Sequence, residues 1–466
     1  MLSLSVATWA AEPEKRAESG VGIWEGTLDV GVAKLRLAFH FERDADGNWT
    51  GKMDSPDQGA LGMKLDAVTW KDDAVETAMK AVGGTYKGKL EADGRTLTGE
   101  WSQAGRSWPL VLKRVDEVTK LERPQEPKPP YPYREEEVTF AGANDDVHLA
   151  GTLTLPEGDG PFPAAILISG SGQQDRNETI FNHKPFWVLA DALTRRGIAV
   201  LRVDDRGVGG STGEVATATS RDFADDVRAE IKFLQGHKEI DSRRIGLIGH
   251  SEGGLIAPLV AAESHDVAFL VLLAAPGVNG EQIIYRQGEL IAKALGADEA
   301  TIKRQRGLQE TFFAIVREES EGPAMQAKLN KAIEQTYAEL SDAERAQLGD
   351  QKAVLEQQVK LLQSPWFRYF LTYDPRPTLA KVKCPVLALN GEKDLQVDPQ
   401  QNLPVLKEAF AKSGNREVTI QELKGLNHLF QTCETGSLAE YGQLTETFAP
   451  SVLELIGDWV VERTKR

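Results

Sequence analysis

Two rhythms of apolar residues divide the chain. From Gly22 to about Val115 apolar and polar positions alternate, over Ile23 to Leu28, Lys34 to Phe41, Gly84 to Leu90, Thr96 to Trp101 and Trp108 to Leu112. A period of two, broken by turn signals such as Asp46-Gly47-Asn48 and Asp93-Gly94, predicts short antiparallel strands. About eight such strands in so short a stretch point to a small antiparallel β-barrel or sandwich rather than an open sheet.

Beyond that stretch the rhythm changes. Glu137 to Phe140 and Leu149 to Pro156 read as a lead-in antiparallel pair. The apolar runs Ala164 to Ser169, Ala199 to Val203, Ile245 to Gly249 and Ala268 to Ala274 then alternate with helical spacing over Pro185 to Arg196, Asp222 to Gln235 and Leu255 to Glu263. Near-continuous apolar strands interleaved with helices imply βαβ units and a parallel sheet. After Ala275-Pro276-Gly277 the strands stop. Gln282 to Leu295, Glu299 to Glu318, Met325 to Leu340 and Asp342 to Leu362 carry amphipathic helical spacing, with Ser341 as an N-cap signal for the last. An insertion at strand ends, here about 278–380, predicts a helical cap over a site. The aromatic run from Trp366 to Tyr373 near its end either lines a pocket or packs the cap on the core. The sheet resumes with Cys384 to Asn390, ends with Glu417 to Leu423, and Leu453 to Val461 closes the chain as a helix.

Four segments follow from this pattern: 1–20, a β domain over 21–118, a Pro-rich linker over 119–134, and an α/β domain over 135–466 that contains the cap. The linker's prolines, Pro124, Pro127, Pro129, Pro130 and Pro132, favour extended backbone. In the first segment, Leu2 to Ala11 followed by Glu12-Pro13 reads either as the end of a secretory signal peptide that lacks its basic start or as a disordered, frayed end. Export to the periplasm or medium is the expectation, and a cytoplasmic protein the alternative.

Composition narrows the function. A net charge of −16 argues against nucleic acid or an anionic membrane surface as partner, since both call for basic patches. No apolar run is long enough to span a bilayer. Cys384 and Cys433 are the only cysteines, too few for a disulfide framework and not spaced as a metal site, so no metal or cofactor is expected. No oligomeric state follows from the sequence.

The chemistry gathers around Gly249-His250-Ser251-Glu252-Gly253, a Gly-x-Ser-x-Gly motif where a buried strand meets a helix. That context makes a nucleophile elbow. Gly209-Gly210-Ser211-Thr212-Gly213 matches the same pattern, but Ser211 lies past the end of its strand and well before the next helix, so it reads as loop. A serine hydroxyl needs a base, and the base must itself be oriented. The order Ser251, Asp394, His428 is that of α/β-hydrolases, and each residue follows the end of a parallel strand. Asp398 is the alternative acid, while His250 sits on the elbow with its side chain directed away from the serine proton. Two main-chain donors should hold a developing oxyanion: the N–H of Glu252, and that of Gly172 or Gln173 in the loop Gly170 to Arg176.

Taken together, Gly170-Ser171-Gly172-Gln173-Gln174-Asp175-Arg176, Asp204-Asp205-Arg206-Gly207-Val208-Gly209, Gly249 to Gly254, Gly391-Glu392-Lys393-Asp394 and Asn427-His428-Leu429-Phe430-Gln431 resemble bacterial α/β-hydrolase esterases of the EstD-like, serine aminopeptidase-like group. The Gly22-Ile23-Trp24-Glu25-Gly26 opening resembles lipocalin-like barrels. The resemblance implies an α/β-hydrolase fold over about 136–466 and cleavage of short-acyl esters by Ser251, Asp394 and His428. It also implies that Asp175, Arg176, Asp205 and Arg206 brace loops by ion pairing. A small-molecule ester is the expected partner. A serine peptidase shares every catalytic part, and a non-catalytic binding protein is the alternative from another class.

Overall fold

The computed structural model describes residues 20–31, 34–103, 105–144, 146–319, 322–339 and 359–465. The signal-like stretch Leu2 to Ala11, the Ser341 cap signal and most of the expected helix from Asp342 lie outside the described residues. The chain divides into two compact units.

The first unit is built on one antiparallel sheet of nine strands: Gly22–Asp29, Lys34–Arg43, Trp49–Ser55, Ala60–Lys64, Ala67–Lys71, Ala74–Met79, Gly84–Leu90, Thr96–Gln103 and Arg106–Val115. The first strand pairs with the second and the ninth, which leaves the fourth and fifth at opposite edges. Between those edges the Leu65 N–H donates to the Gly51 carbonyl (3.0 Å) and the Asp66 N–H to the Ala78 carbonyl (2.8 Å). Two consecutive residues thus stitch the ends of the sheet, and it curls as a barrel does; a two-sheet sandwich is not formed. Alternate residues turn inward, and Trp24, Phe39, Phe41, Tyr86 and Trp101 fill the interior. Gly84 is required by that filling, because a Cβ there would stand 2.2 Å from the Trp101 ring.

The second unit holds an eight-stranded sheet in the spatial order Arg134–Ala141, His148–Leu155, Ala199–Val203, Phe162–Ile168, Ile240–His250, Leu270–Leu273, Val386–Gly391 and Val418–Leu423. The first two strands are the antiparallel lead-in, and the remaining six run parallel. Successive residues of a strand serve opposite faces. Ile166, Leu247 and Leu272 meet the helices Ser220–Gln235, Gly253–Ala261 and Pro399–Ser413, while Leu167, Ile248 and Val271 meet Pro185–Thr194 and Pro450–Thr464. Burial on both faces is why these strands read as unbroken apolar runs. The helix Pro399–Ser413 has no counterpart in the sequence reading, because Pro404 inside it breaks the pattern.

Between Leu270–Leu273 and Val386–Gly391 the chain leaves the sheet and forms the helices Gly280–Ala294, Glu299–Glu318, Pro323–Glu339, Pro365–Thr372 and Arg376–Leu379. Phe313 and Val316 pack against Phe367 and Leu371 within this insertion, while Phe370 packs on Val278, Ile283 and Val397. The Pro-rich stretch is pinned to the second unit: Arg123 donates to the carbonyls of Leu444 and Gly442, and Gln125 to that of Phe448.

Candidate active site

Ser251 follows directly on the strand Ile240–His250 and precedes the helix Gly253–Ala261. Its φ of 53° lies in the left-handed region, a strained conformation for a serine and a mark of a sharp turn. The glycines around it are sterically required. A Cβ on Gly249 would stand 2.1 Å from the Gly253 carbonyl oxygen, and one on Gly253 would stand 2.1 Å from that of Ile168. The Ser251 N–H is held by the Leu273 carbonyl at 2.8 Å, and the residue remains half-buried. Ser211 lies in a loop with its hydroxyl already spent, donating to the Asp204 carbonyl (2.7 Å) and accepting from the Ala150 N–H (2.9 Å).

Asp394 is buried in the turn after Val386–Gly391. Its Oδ1 accepts the N–H groups of Gln396 and Val397, each at 2.8 Å, and its Oδ2 lies 2.7 Å from His428 Nδ1. A carboxylate there draws the ring proton to Nδ1 and leaves the Nε2 lone pair free, the tautomer that a general base needs. His428 sits in the loop after Val418–Leu423, and its own N–H donates to the Tyr441 hydroxyl at 3.3 Å. Its ring centroid is 4.8 Å from that of His250, the residue preceding the serine. Asp398 is turned to other tasks, capping the helix Pro399–Ser413 and pairing with Arg286 at 2.6 Å.

The three amides expected to face an oxyanion, those of Glu252, Gly172 and Gln173, donate to no group among the described residues. Gly172 has a φ of 103°, which only glycine adopts without strain. Asp205 clamps the loop that carries Gly172 and Gln173 at both ends, accepting from the Ser169 hydroxyl and the Gln174 N–H at 2.9 Å each. Burial pushes its carboxyl up to about 7 against the opposing pull of those two bonds, with Glu252 and Glu178 adding to the rise. The expected bracing by ion pairs is therefore half right. Arg176 pairs with Asp204 (2.8 Å) and Arg206 with Asp226 (2.6 Å), but Asp205 and Asp175 hold neutral donors instead, in Asp175's case the N–H groups of Asn177 and Thr179.

Several side-chain contacts at the site carry no local signal in the sequence. The buried Glu252 carboxylate accepts from the Ser220 hydroxyl (2.6 Å) and from the indole N–H of Trp366 in the insertion (2.8 Å), and burial raises its pKa. Beneath the loop a cavity of about 40 Å³ is lined by Gly170, Gly172, Asp205, Glu230 and Glu252 among others. Glu230 Oε2 is buried there without a partner among the described residues, and burial, with Asp226 and Asp205, lifts its pKa well above the usual value. The neutral acid is thus the form that the interior accepts. Glu178 reaches in from the loop before Pro185–Thr194 to His250, at 2.8 Å. His183, deeply buried between Thr447 and the Tyr441 carbonyl, has its pKa lowered to about 4 by burial and stays neutral. One trio among the described residues, Glu136, His237 and Glu239, brings three metal-capable atoms within 4.8 Å, but Arg134 already pairs with both carboxylates at 3.2 and 2.8 Å.

Residues 185–432 match the family described as serine aminopeptidase, S33. Esterase EstD of Thermotoga maritima is 26% identical over 333 residues, a stretch covering 72% of this chain and 69% of that protein. An uncharacterized 31.7 kDa protein from the traX-finO intergenic region of Escherichia coli is 27% identical over 276 residues, 58% of this chain and 85% of that one. Among solved structures, an esterase of Pyrococcus furiosus, Pf2001, aligns over 75% of this chain and 100% of its own at 15% identity, with a TM-score of 0.44.

Proposed function

The chain belongs to the serine aminopeptidase S33 family of α/β-hydrolases, and from that premise we propose that it cleaves carboxylic esters through Ser251, His428 and Asp394. In this reading His428 Nε2 takes the Ser251 proton as the hydroxyl attacks the ester carbonyl, and then gives it to the departing alcohol. Water, activated by the same imidazole, releases the acid from the acyl-enzyme. Asp394 holds the tautomer and stabilises the imidazolium. The N–H of Glu252, with that of Gly172 or Gln173, receives the oxyanion; one such donor is worth roughly 3 kcal/mol of transition-state stabilisation. The helical insertion acts as the cap, tied to the elbow through Trp366 and Glu252.

The observation that carries the reading is the 2.7 Å contact of a buried carboxylate with His428, whose ring lies 4.8 Å from that of His250, the residue before a serine whose backbone is strained as an elbow requires. The preference for esters, and for short acyl groups, rests on likeness to an esterase. The family's description favours a second reading, an aminopeptidase with the same triad. A nitrophenyl acetate and an aminoacyl anilide assayed side by side separate them. Ester turnover that Ser251→Ala abolishes, with negligible anilide turnover, supports the first. The reverse preference supports the second, and ester turnover untouched by Ser251→Ala overturns both.

A further inference from the structure

His250 is fully buried beside the nucleophile, yet the proposed mechanism gives it nothing to do. Its Nδ1 lies 2.8 Å from Glu178 Oε1, and its Nε2 lies 3.0 Å from the main-chain carbonyl oxygen of His428. Neither oxygen can donate. A carbonyl has no hydrogen, and a carboxylate, as which Glu178 also accepts the Gly170 N–H on Oε1 at 2.6 Å, is an acceptor only. A neutral imidazole carries one N–H and one lone pair, so it would satisfy one oxygen and press its lone pair against the other. Only the imidazolium donates to both.

We propose that His250 and Glu178 form a permanent buried ion pair that serves as a positioning device, fixing three parts of the site at once: the oxyanion loop through Gly170, the elbow through His250, and the base through the His428 carbonyl. The proposal rests on the triad reading and extends it to the residues that hold the triad's arms together. The geometry leaves little slack, since a Cβ on Gly170 would stand 3.2 Å from Ser251 Cβ and 3.5 Å from His250 Nδ1. The charged groups facing the ring come from every side of the site. Glu178 approaches from the loop after Phe162–Ile168 and Asp394 from the turn after Val386–Gly391, while the His428 ring stands 4.8 Å away and the uncharged Phe430 ring 6.5 Å away. Burial works to discharge the imidazole, but Glu178, the His428 carbonyl and Asp394 outweigh it, and the net shift is upward.

Two measurements test this. In the intact protein labelled with ¹⁵N-histidine, the His250 resonances, identified by their loss in His250→Gln, should show both ring nitrogens protonated at pH 8, where an ordinary imidazole is neutral. A single protonated nitrogen at pH 7 overturns the proposal, whether or not the protein hydrolyses esters. Glu178→Gln keeps an acceptor for Gly170 but removes the charge, so His250 should discharge near neutral pH. For this variant kcat at pH 8 should fall about ten- to hundredfold, less than the loss of an oxyanion donor itself, with KM nearly unchanged. Its pH profile should gain an alkaline decline that the parent lacks. A folded variant with the parent's kcat and profile overturns the proposal. Absence of both ester and anilide turnover in the parent, with both nitrogens still protonated, overturns the triad reading and leaves the ion pair standing.

Discussion

Replacing Asp394 by asparagine separates the orientation of the base from the architecture of its turn. In the parent, one carboxylate oxygen accepts two backbone N–H groups at 2.8 Å and the other meets His428 Nδ1 at 2.7 Å. An amide offers one oxygen and one NH₂. If its oxygen faces the backbone, both of those bonds survive and the NH₂ points at Nδ1. The imidazole must then present a lone pair there and carry its proton on Nε2, which cannot accept the serine proton. If the amide flips, the buried Val397 N–H loses its acceptor at about 1–3 kcal/mol and the half-buried Gln396 N–H loses its own as well, so the first orientation wins. The fold therefore survives while the base is held in the wrong tautomer. Such a substitution in a triad lowers kcat by about 10⁴, or roughly 5.4 kcal/mol of barrier at 1.36 kcal/mol per decade. The assay is kcat on nitrophenyl acetate at pH 7.5, with a thermal melt to show that the variant is folded. A folded Asp394→Asn retaining kcat within about tenfold of the parent would refute the reasoning.

Three further substitutions probe the packing around the site. Gly253→Ala places a Cβ 2.1 Å from the Ile168 carbonyl oxygen and should leave the protein insoluble or markedly less stable; a parent-like melting temperature would contradict the elbow geometry. For Glu230 the folded-state pKa is raised, so below the ordinary carboxylate value of 4.5 both states hold the proton. As pH rises above that value the unfolded chain ionises first and stability is lost, at about 1.4 kcal/mol per pH unit until the folded state also ionises. Glu230→Gln should thus melt higher than the parent at pH 8 and close to it at pH 4, and a gain independent of pH would contradict the assignment. Trp366→Phe keeps the stack on Phe370 but removes the indole N–H from Glu252, and should cost about 1–3 kcal/mol in a denaturant titration; no change would mean that the insertion is not anchored there.

What the sequence disclosed follows from where information is local. The parallel strands announced themselves because both faces of Phe162–Ile168, Ile240–His250 and Leu270–Leu273 are buried, and the elbow because glycines at 249 and 253 have no room for a side chain. The contact of Asp394 with His428 was legible in their place after strand ends and in their chain order. Glu178 was not, because it lies in irregular backbone and its partner His250 is 72 residues away, so no period or motif links them. The same holds for Trp366 and Glu252, separated by 114 residues. Asp205 braces its loop as expected but not by an ion pair, since burial sets it against neutral donors and no cation bonds to it among the described residues.

The proposed nucleophile, Ser251, can be tested by treatment with a fluorophosphonate followed by peptide mass spectrometry. One equivalent of adduct is expected on Ser251, with esterase activity lost in step with labelling and no adduct in Ser251→Ala. Stoichiometric labelling of another residue such as Ser211 in step with that loss, or full activity in a protein wholly modified at Ser251, would contradict it.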